Sequence, residues 1–335
     1  MSTSRGTLAN LEHWEPSRIE ATLVHRPTGN LGGELTASET NFSSAPVVVG
    51  VDGSAASLEA VALAAREAIL RNRPLHVVHA FIWPLMRVPL GPSPSGPPEG
   101  GFRNQAAGLL DEAVARARAV APDALITSEI ITGDAGPVLL RCAATAHLVA
   151  IGDRGLGGFS GLLLGSVAVK LAAQSDCPVL VSRGEVHAAG PVVVGVDGSA
   201  ANEAAVGFAF DSANRRGATL LAVHAWSHPA STVTADMMEL VYDRAAVQAD
   251  EERQLADALA RWQMQYPDVT VIRSVSRAGA SKALVEASSD SQLVVVGARG
   301  RGGLAGLLLG SVSQAVLHHA ACPVAVVPAS AGGRE

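Results

Sequence analysis

Two tandem α/β domains, each a doubly wound five-stranded parallel sheet of the Rossmann-like kind, are what this sequence predicts, and three observations predict them. Residues 46–56, PVVVGVDGSAA, recur unchanged at 191–201, an offset of 145, and a repeat of domain length governs every later reading of a chain. The same offset relates His79 to His224, Gly152 to Gly297, Gly165 to Gly310 and Cys177-Pro178 to Cys322-Pro323, so no net insertion separates the copies. Within each copy, short Val/Ile/Leu runs alternate with Ala-rich helical stretches, the rhythm of a parallel sheet covered by helices on both faces. At 335 residues, 48% hydrophobic and 17% charged, each half is large enough to bury its own core.

Taken in order, the first copy is expected to place strands at 46–52, 75–81, 125–131, 147–152 and 178–182, with helices at 56–71, 103–120, 135–146 and 166–175. The second repeats the strands at 191–197, 219–225, 269–275, 292–297 and 323–327. Five strands and four helices per copy suit a doubly wound sheet. The domain limits follow as 46–187 and 188–330. Residues 84–101, PLMRVPLGPSPSGPPEGG, carry too much Pro and Gly for a helix or strand interior and are expected to loop out after the second strand. That loop lies on the ligand-binding side of such a sheet, as a lid or as a passive connection. Residues 1–45 have no copy and little periodicity; they read as a disordered tail or as a segment that docks on a partner or on the domains.

Composition narrows the function. Net charge is -6 and no Lys/Arg-dense run occurs, which speaks against nucleic acid as a partner. Gly, Asp or Arg breaks each apolar stretch well before the roughly 20 residues of a membrane helix, so no membrane insertion is expected. The N-terminus lacks a basic segment followed by an apolar region, and cytoplasm is the expected compartment. Cys142, Cys177 and Cys322 form no CxxC pair and no metal-like cluster with histidine. Cys177 and Cys322 each precede Pro at the start of an apolar run and read as small buried hydrophobes.

The sharpest chemistry follows the fourth strand of each copy. Gly152-Asp-Arg-Gly155, nine residues and Gly165-Ser166 are matched by Gly297-Ala-Arg-Gly300, nine residues and Gly310-Ser311; 152–167 and 297–312 agree at 12 of 16 positions. Glycines permit positive φ and let backbone approach a ligand closely. The Gly-Ser step falls where the next helix begins, so its free N–H groups, its positive dipole end and the Ser hydroxyl face an anion. The competing reading of these glycines is close helix packing. A P-loop is excluded, since Lys170 and Lys282 are the only lysines and neither follows a glycine. The dinucleotide fingerprint also fits poorly, because the turn after the first strand is VDGSAA. Asp52 and Asp197 end the first strands, where an acid can accept a ribose hydroxyl or help hold a phosphate-bound divalent cation; the alternative is an Asx-type turn or a helix N-cap.

In its strand-terminal VGVDGS, the strand ending VHA, the G-x2-G-x9-GS loop and the final Cys-Pro-Val strand, the chain resembles universal stress proteins of the tandem, ATP-binding kind common in actinobacteria, over roughly 46–182 and 191–327. The resemblance implies strand order 3-2-1-4-5, with nucleotide across the carboxyl edge of each sheet. It puts Asp52 and Asp197 on the ribose-adenine side and the backbone around Ala80 and Ala225 against adenine. Ile151, Gly152, Gly155, Gly165, Ser166 and Val167 would enclose ribose and phosphates in the first copy; Val296, Gly297, Gly300, Gly310, Ser311 and Val312 would do so in the second. The cofactor implied is ATP, with Mg2+ as its companion cation. The fifth strands are expected to pair into an intrachain pseudo-dimer, which can dimerise again as a homodimer. His79 and His224 read as structural residues of their strands.

Two departures stand out. Asp153 puts a carboxylate in the first loop where the second copy has Ala298, which would weaken phosphate binding if it pointed inward; the second site is therefore the one expected to fill if only one does. The 45-residue tail is the other departure. The function implied is a nucleotide-responsive regulator of stress or dormancy physiology, acting on an unidentified regulatory protein partner. The alternatives are a slow ATPase, for which Arg154, Arg299 and Arg301 are the nearby cations but no positioned base or lysine is evident, and a nucleotide-independent scaffold.

Overall fold

The structure is a computed structural model, and it describes residues 45–81, 98–156, 164–226, 244–277, 279–300 and 309–329. The expectations for the tail up to residue 44 and for the loop at 84–97 lie outside these residues.

The first half runs β1 (Val47–Val51), α1 (Ala55–Leu70), β2 (Leu75–Phe81), α2 (Pro98–Val120), β3 (Ile126–Thr132), α3 (Ala135–Ala143), β4 (Leu148–Gly152), α4 (Ser166–Gln174) and β5 (Val179–Ser182). The second runs β6 (Val192–Gly195), α5 (Glu203–Arg216), β7 (Leu220–Ala225), α6 (Arg244–Gln265), β8 (Val271–Ser276), α7 (Ala280–Ala287), β9 (Leu293–Gly297), α8 (Ser311–His319) and β10 (Val324–Val327). Each half is parallel in the order 3-2-1-4-5. The halves are not separate sheets, however: β5 pairs antiparallel with β10, Val181 opposite Val324, and joins them into one ten-stranded sheet ordered β3-β2-β1-β4-β5-β10-β9-β6-β7-β8.

The pleat explains why β1 is apolar throughout. Successive side chains alternate between faces, so Val47, Val49 and Val51 pack with α1 and α2 while Val48 packs with α3 and α4. Both core layers continue across the β5/β10 seam: α5 and α6 extend the first layer, α7 and α8 the second.

The start of α2 departs from expectation. Pro98 to Gly101, read as loop, belong to α2; Pro at a helix start gives up an N–H that has no intrahelical partner anyway, so the composition that suggests a loop is tolerated there.

Where α1 meets α5, polar residues are buried together. Glu67 and Arg71, both nearly inaccessible, pair at 2.9 Å. Arg71 also bonds Asp211 at 2.7 Å and the Ser212 hydroxyl at 3.0 Å, and Arg216 pairs with the other oxygen of Glu67. Arg215 donates to the Leu70 carbonyl at 2.9 Å, which completes a network across the seam.

Candidate functional site

Each half carries a cavity at the carboxyl edge of its strands, about 420 Å³ in the first and 510 Å³ in the second. The floor of the first is the end of β1, where Asp52 is held by its own turn. Its Oδ1 accepts from the Ser54 amide at 3.0 Å and the Ser54 hydroxyl at 2.6 Å, and its Oδ2 accepts from the Leu156 amide at 2.8 Å. The Asx-turn alternative is thus realised, and the same carboxylate ties the glycine loop to β1. Burial pushes the Asp52 carboxyl up, but the bonds from Ser54, Leu156 and Ser57 outweigh it and hold the pKa below the ordinary value. Asp197 makes the matching turn, accepting from the Ser199 amide at 2.8 Å.

Gly155 and Gly300 are there for space. Positive φ among the described glycines occurs at Gly53, Gly133, Gly184, Gly198 and Gly217; Gly152, Gly155 and Gly165 and their partners Gly297, Gly300 and Gly310 do not use the positive φ that glycine permits. A Cβ at Gly155 would collide with Asp52 Oδ2, and one at Gly300 with Asp197 Oδ2. At Gly165 and Gly310 an added Cβ meets nothing closer than 3.4 Å.

The loop is closed at its base by the Gly165 amide donating to the Asp153 carbonyl at 2.7 Å, and in the second half by Gly310 donating to Ala298 at 2.9 Å. Gly165 and Gly310 are the N-caps of α4 and α8, and neither offers a side-chain cap. The leading N–H groups of both helices therefore stand open beside Ser166 and Ser311.

Every residue expected at the first site lines the first cavity: Asp52, Ala80, Ile151, Gly152, Gly155, Gly165, Ser166 and Val167. Likewise Asp197, Ala225, Val296, Gly297, Gly300, Gly310, Ser311 and Val312 line the second. Arg154 and Arg299 line them too, as the cations of their respective rims. Sequence reasoning missed an inner wall of Ser57, Leu139, Leu164 and Ala168, matched by Asn202, Leu284, Leu309 and Ser313. The 145-residue offset pairs these as well, and the helical spacing from Gly165 to Ala168 puts both on one face of α4. Asp153 is not among the lining residues; its carboxylate lies 3.9 Å from Arg154 Nε on a largely buried side chain.

His79 and His224 serve the strands. Each Nδ1 meets the carbonyl before a strand-end aspartate, Val51 at 2.8 Å and Val196 at 2.7 Å. In the second half Nε2 of buried His224 also meets Glu251 at 2.8 Å, where the first half has Ala106.

The sequence profile of the Universal stress protein family matches the chain twice, at 44–183 and 189–328. The chain belongs to the universal stress protein family. Universal stress protein Rv2005c of Mycobacterium tuberculosis is 42% identical over 294 residues, covering 84% of this chain and 96% of the relative. Universal stress protein Rv2623 of the same organism is 40% identical over 296 residues, covering 85% and 96%. A universal stress protein structure from Archaeoglobus fulgidus DSM 4304 superposes with TM-score 0.60 at 18% identity, covering 86% of this chain and 97% of that one. A second, from Pseudomonas aeruginosa UCBPP-PA14, gives 0.52 at 17% identity, with 85% and 92% covered. Both share the universal stress protein fold. No helix among the described residues is long and apolar enough to cross a membrane.

Proposed function

We propose that this universal stress protein binds ATP in both cavities and acts as a nucleotide-responsive regulator in the cytoplasm, its occupancy biasing its contact with a protein partner. One observation carries the reading: in each half an uncapped helix N-terminus, a Ser hydroxyl and an Arg converge on a largely apolar cavity floored by an aspartate. Free N–H groups and a cation suit phosphates, the apolar wall suits a base, and a cavity of this size suits a cofactor-sized ligand. In this arrangement the base lies toward Ala80 or Ala225 and the phosphates toward Ser166 or Ser311.

Among the described residues no group of three or more His, Cys, Asp and Glu could hold a metal. Mg2+ would therefore arrive with the nucleotide, held mainly by phosphate oxygens and water, with Asp52 or Asp197 the nearest carboxylate. Asp52 already accepts three hydrogen bonds at a lowered pKa, which makes it a poor general base and favours binding over hydrolysis. Acid extraction of purified protein, followed by calorimetric titration of nucleotide-free protein with ATP, tests the reading. Bound adenine nucleotide and saturable ATP binding are expected; neither being found would overturn it.

A further inference from the structure

The seam between the halves is asymmetric at the sites. Because β5 and β10 run antiparallel, the two cavities open at opposite edges of the sheet, and each loop helix runs from its own cavity toward the edge that carries the other. The nine residues of α8 span about 13 Å at 1.5 Å per residue: Ser311 lines the second cavity, while the C-terminus reaches the end of β5 beside the first.

Arg183 meets that C-terminus. Its Nε donates to the Ala320 carbonyl at 2.9 Å and its Nη1 to the Leu317 carbonyl, the position where a cation satisfies the free carbonyls of a helix and its negative dipole end. The contact is tight. Gly184 has φ 58° and no room for a Cβ against the Ala321 carbonyl, and the Glu185 amide donates to that carbonyl at 2.9 Å.

On its other side Arg183 adjoins the first glycine loop. The Asp153 amide donates to the carbonyl of Ser182, the residue before Arg183, at 3.1 Å. Burial pushes the Arg183 pKa down, the Asp153 carboxylate pulls it back up, and Arg154 opposes it. The second half has no counterpart: the position 145 residues after Arg183 is Pro328, with no guanidinium to offer α4. Arg183 therefore adjoins the loop of the first cavity on one side and holds the helix of the second on the other.

We propose that Arg183 couples the two nucleotide sites, so that occupancy of one weakens binding at the other. The proposal rests on the reading that both cavities take nucleotide. Phosphate bound by Arg154 at the first cavity takes that cation from Asp153, whose carboxylate then turns to Arg183 and loosens its hold on Leu317 and Ala320. The last turn of α8 relaxes, and with it the N-terminus at the second cavity. By linkage the effect runs equally in reverse.

The test is calorimetric titration of the full chain with ATP. Gly155→Val weakens the first site and Gly300→Val the second, so the tighter step in each variant gives the association constant of its intact site. In wild type, the product of the two stepwise constants is expected to fall at least about fivefold below the product of the single-site constants. In the Arg183→Ala background the two products are expected to agree within about twofold. Equal products in wild type, a wild-type product above that of the single sites, or coupling that survives Arg183→Ala would each overturn the proposal. Arg183→Gln, which keeps a donor and drops the charge, gives the same reading if Arg183→Ala does not fold. Wild type that binds no ATP defeats the nucleotide reading itself, whereas two independent sites leave that reading standing and defeat only the coupling.

Discussion

At the scale of single residues, the turn aspartate and the loop glycine form one unit. Asp52 holds Leu156 through the gap that Gly155 leaves, and Asp197 stands the same way to Gly300. Gly155→Val should therefore push the loop off the aspartate and lower ATP affinity at the first site at least about tenfold, with Gly300→Val doing the same at the second; single-site titrations check both. Gly165→Ala is expected to be milder, since the added methyl has room. The cysteines give a separate check. Burial pushes the Cys322 thiol up to about 12 and the Cys177 thiol upward too, so folded protein at pH 8 should resist alkylation at both, as judged by mass spectrometry with and without urea. The positions of the site were legible because a duplicated motif marks backbone that must repeat. Its inner wall was only half legible: Leu139 and Leu164 repeat as Leu284 and Leu309, but Ser57 and Ala168 face the cavity in one copy where Asn202 and Ser313 do in the other, and positions that differ between copies leave no repeated signal.

Elements were legible where burial is complete. The five residues of β1 are all buried, and their unbroken valines with one glycine could be read as little else. Ends were harder to read. α3 was expected to reach residue 146, yet it stops at Ala143, with the amides of Thr145 and Ala146 turning back to Cys142 and Ala143. The two copies also open their first helices differently. Ser54 caps α1 by accepting from the Ser57 amide at 3.2 Å, whereas a 3-10 turn over Ala200–Asn202 precedes α5, with Asn202 bonded back to the Gly195 carbonyl at 3.0 Å. Ser54→Ala should cost about 1 kcal/mol in urea unfolding from the lost cap. Because the same hydroxyl bonds Asp52, it should weaken the first site as well. Ser199→Ala, which removes no side-chain cap, should leave stability within about 0.5 kcal/mol.

The whole molecule holds what a repeat cannot show. At the 145-residue offset Arg71 corresponds to Arg216 but Glu67 to Ser212, so the arginines of the buried network repeat while its carboxylate does not, and the network appears only when the halves meet. Glu67→Ala would leave Arg216 without its carboxylate and Arg71 with Asp211 alone, at a cost of about 3 kcal/mol, measurable as a lower urea midpoint. His147 lies beside this network, 3.4 Å from Arg71. Burial first, then Arg73 and Arg71, lower its pKa from 6.5 to about 4. The unfolded chain therefore takes up the proton before the folded one does, and the stability that neutral His147 contributes is present above pH 6.5 and lost as pH falls toward 4. The urea midpoint should drop over that window, and His147→Gln should flatten part of the drop.

The antiparallel seam has one more consequence. With the strands of its halves pointing in opposite directions, the molecule is two-headed. A body seated over one mouth stands at the opposite edge of the sheet from the other. What passes between them must pass through the protein.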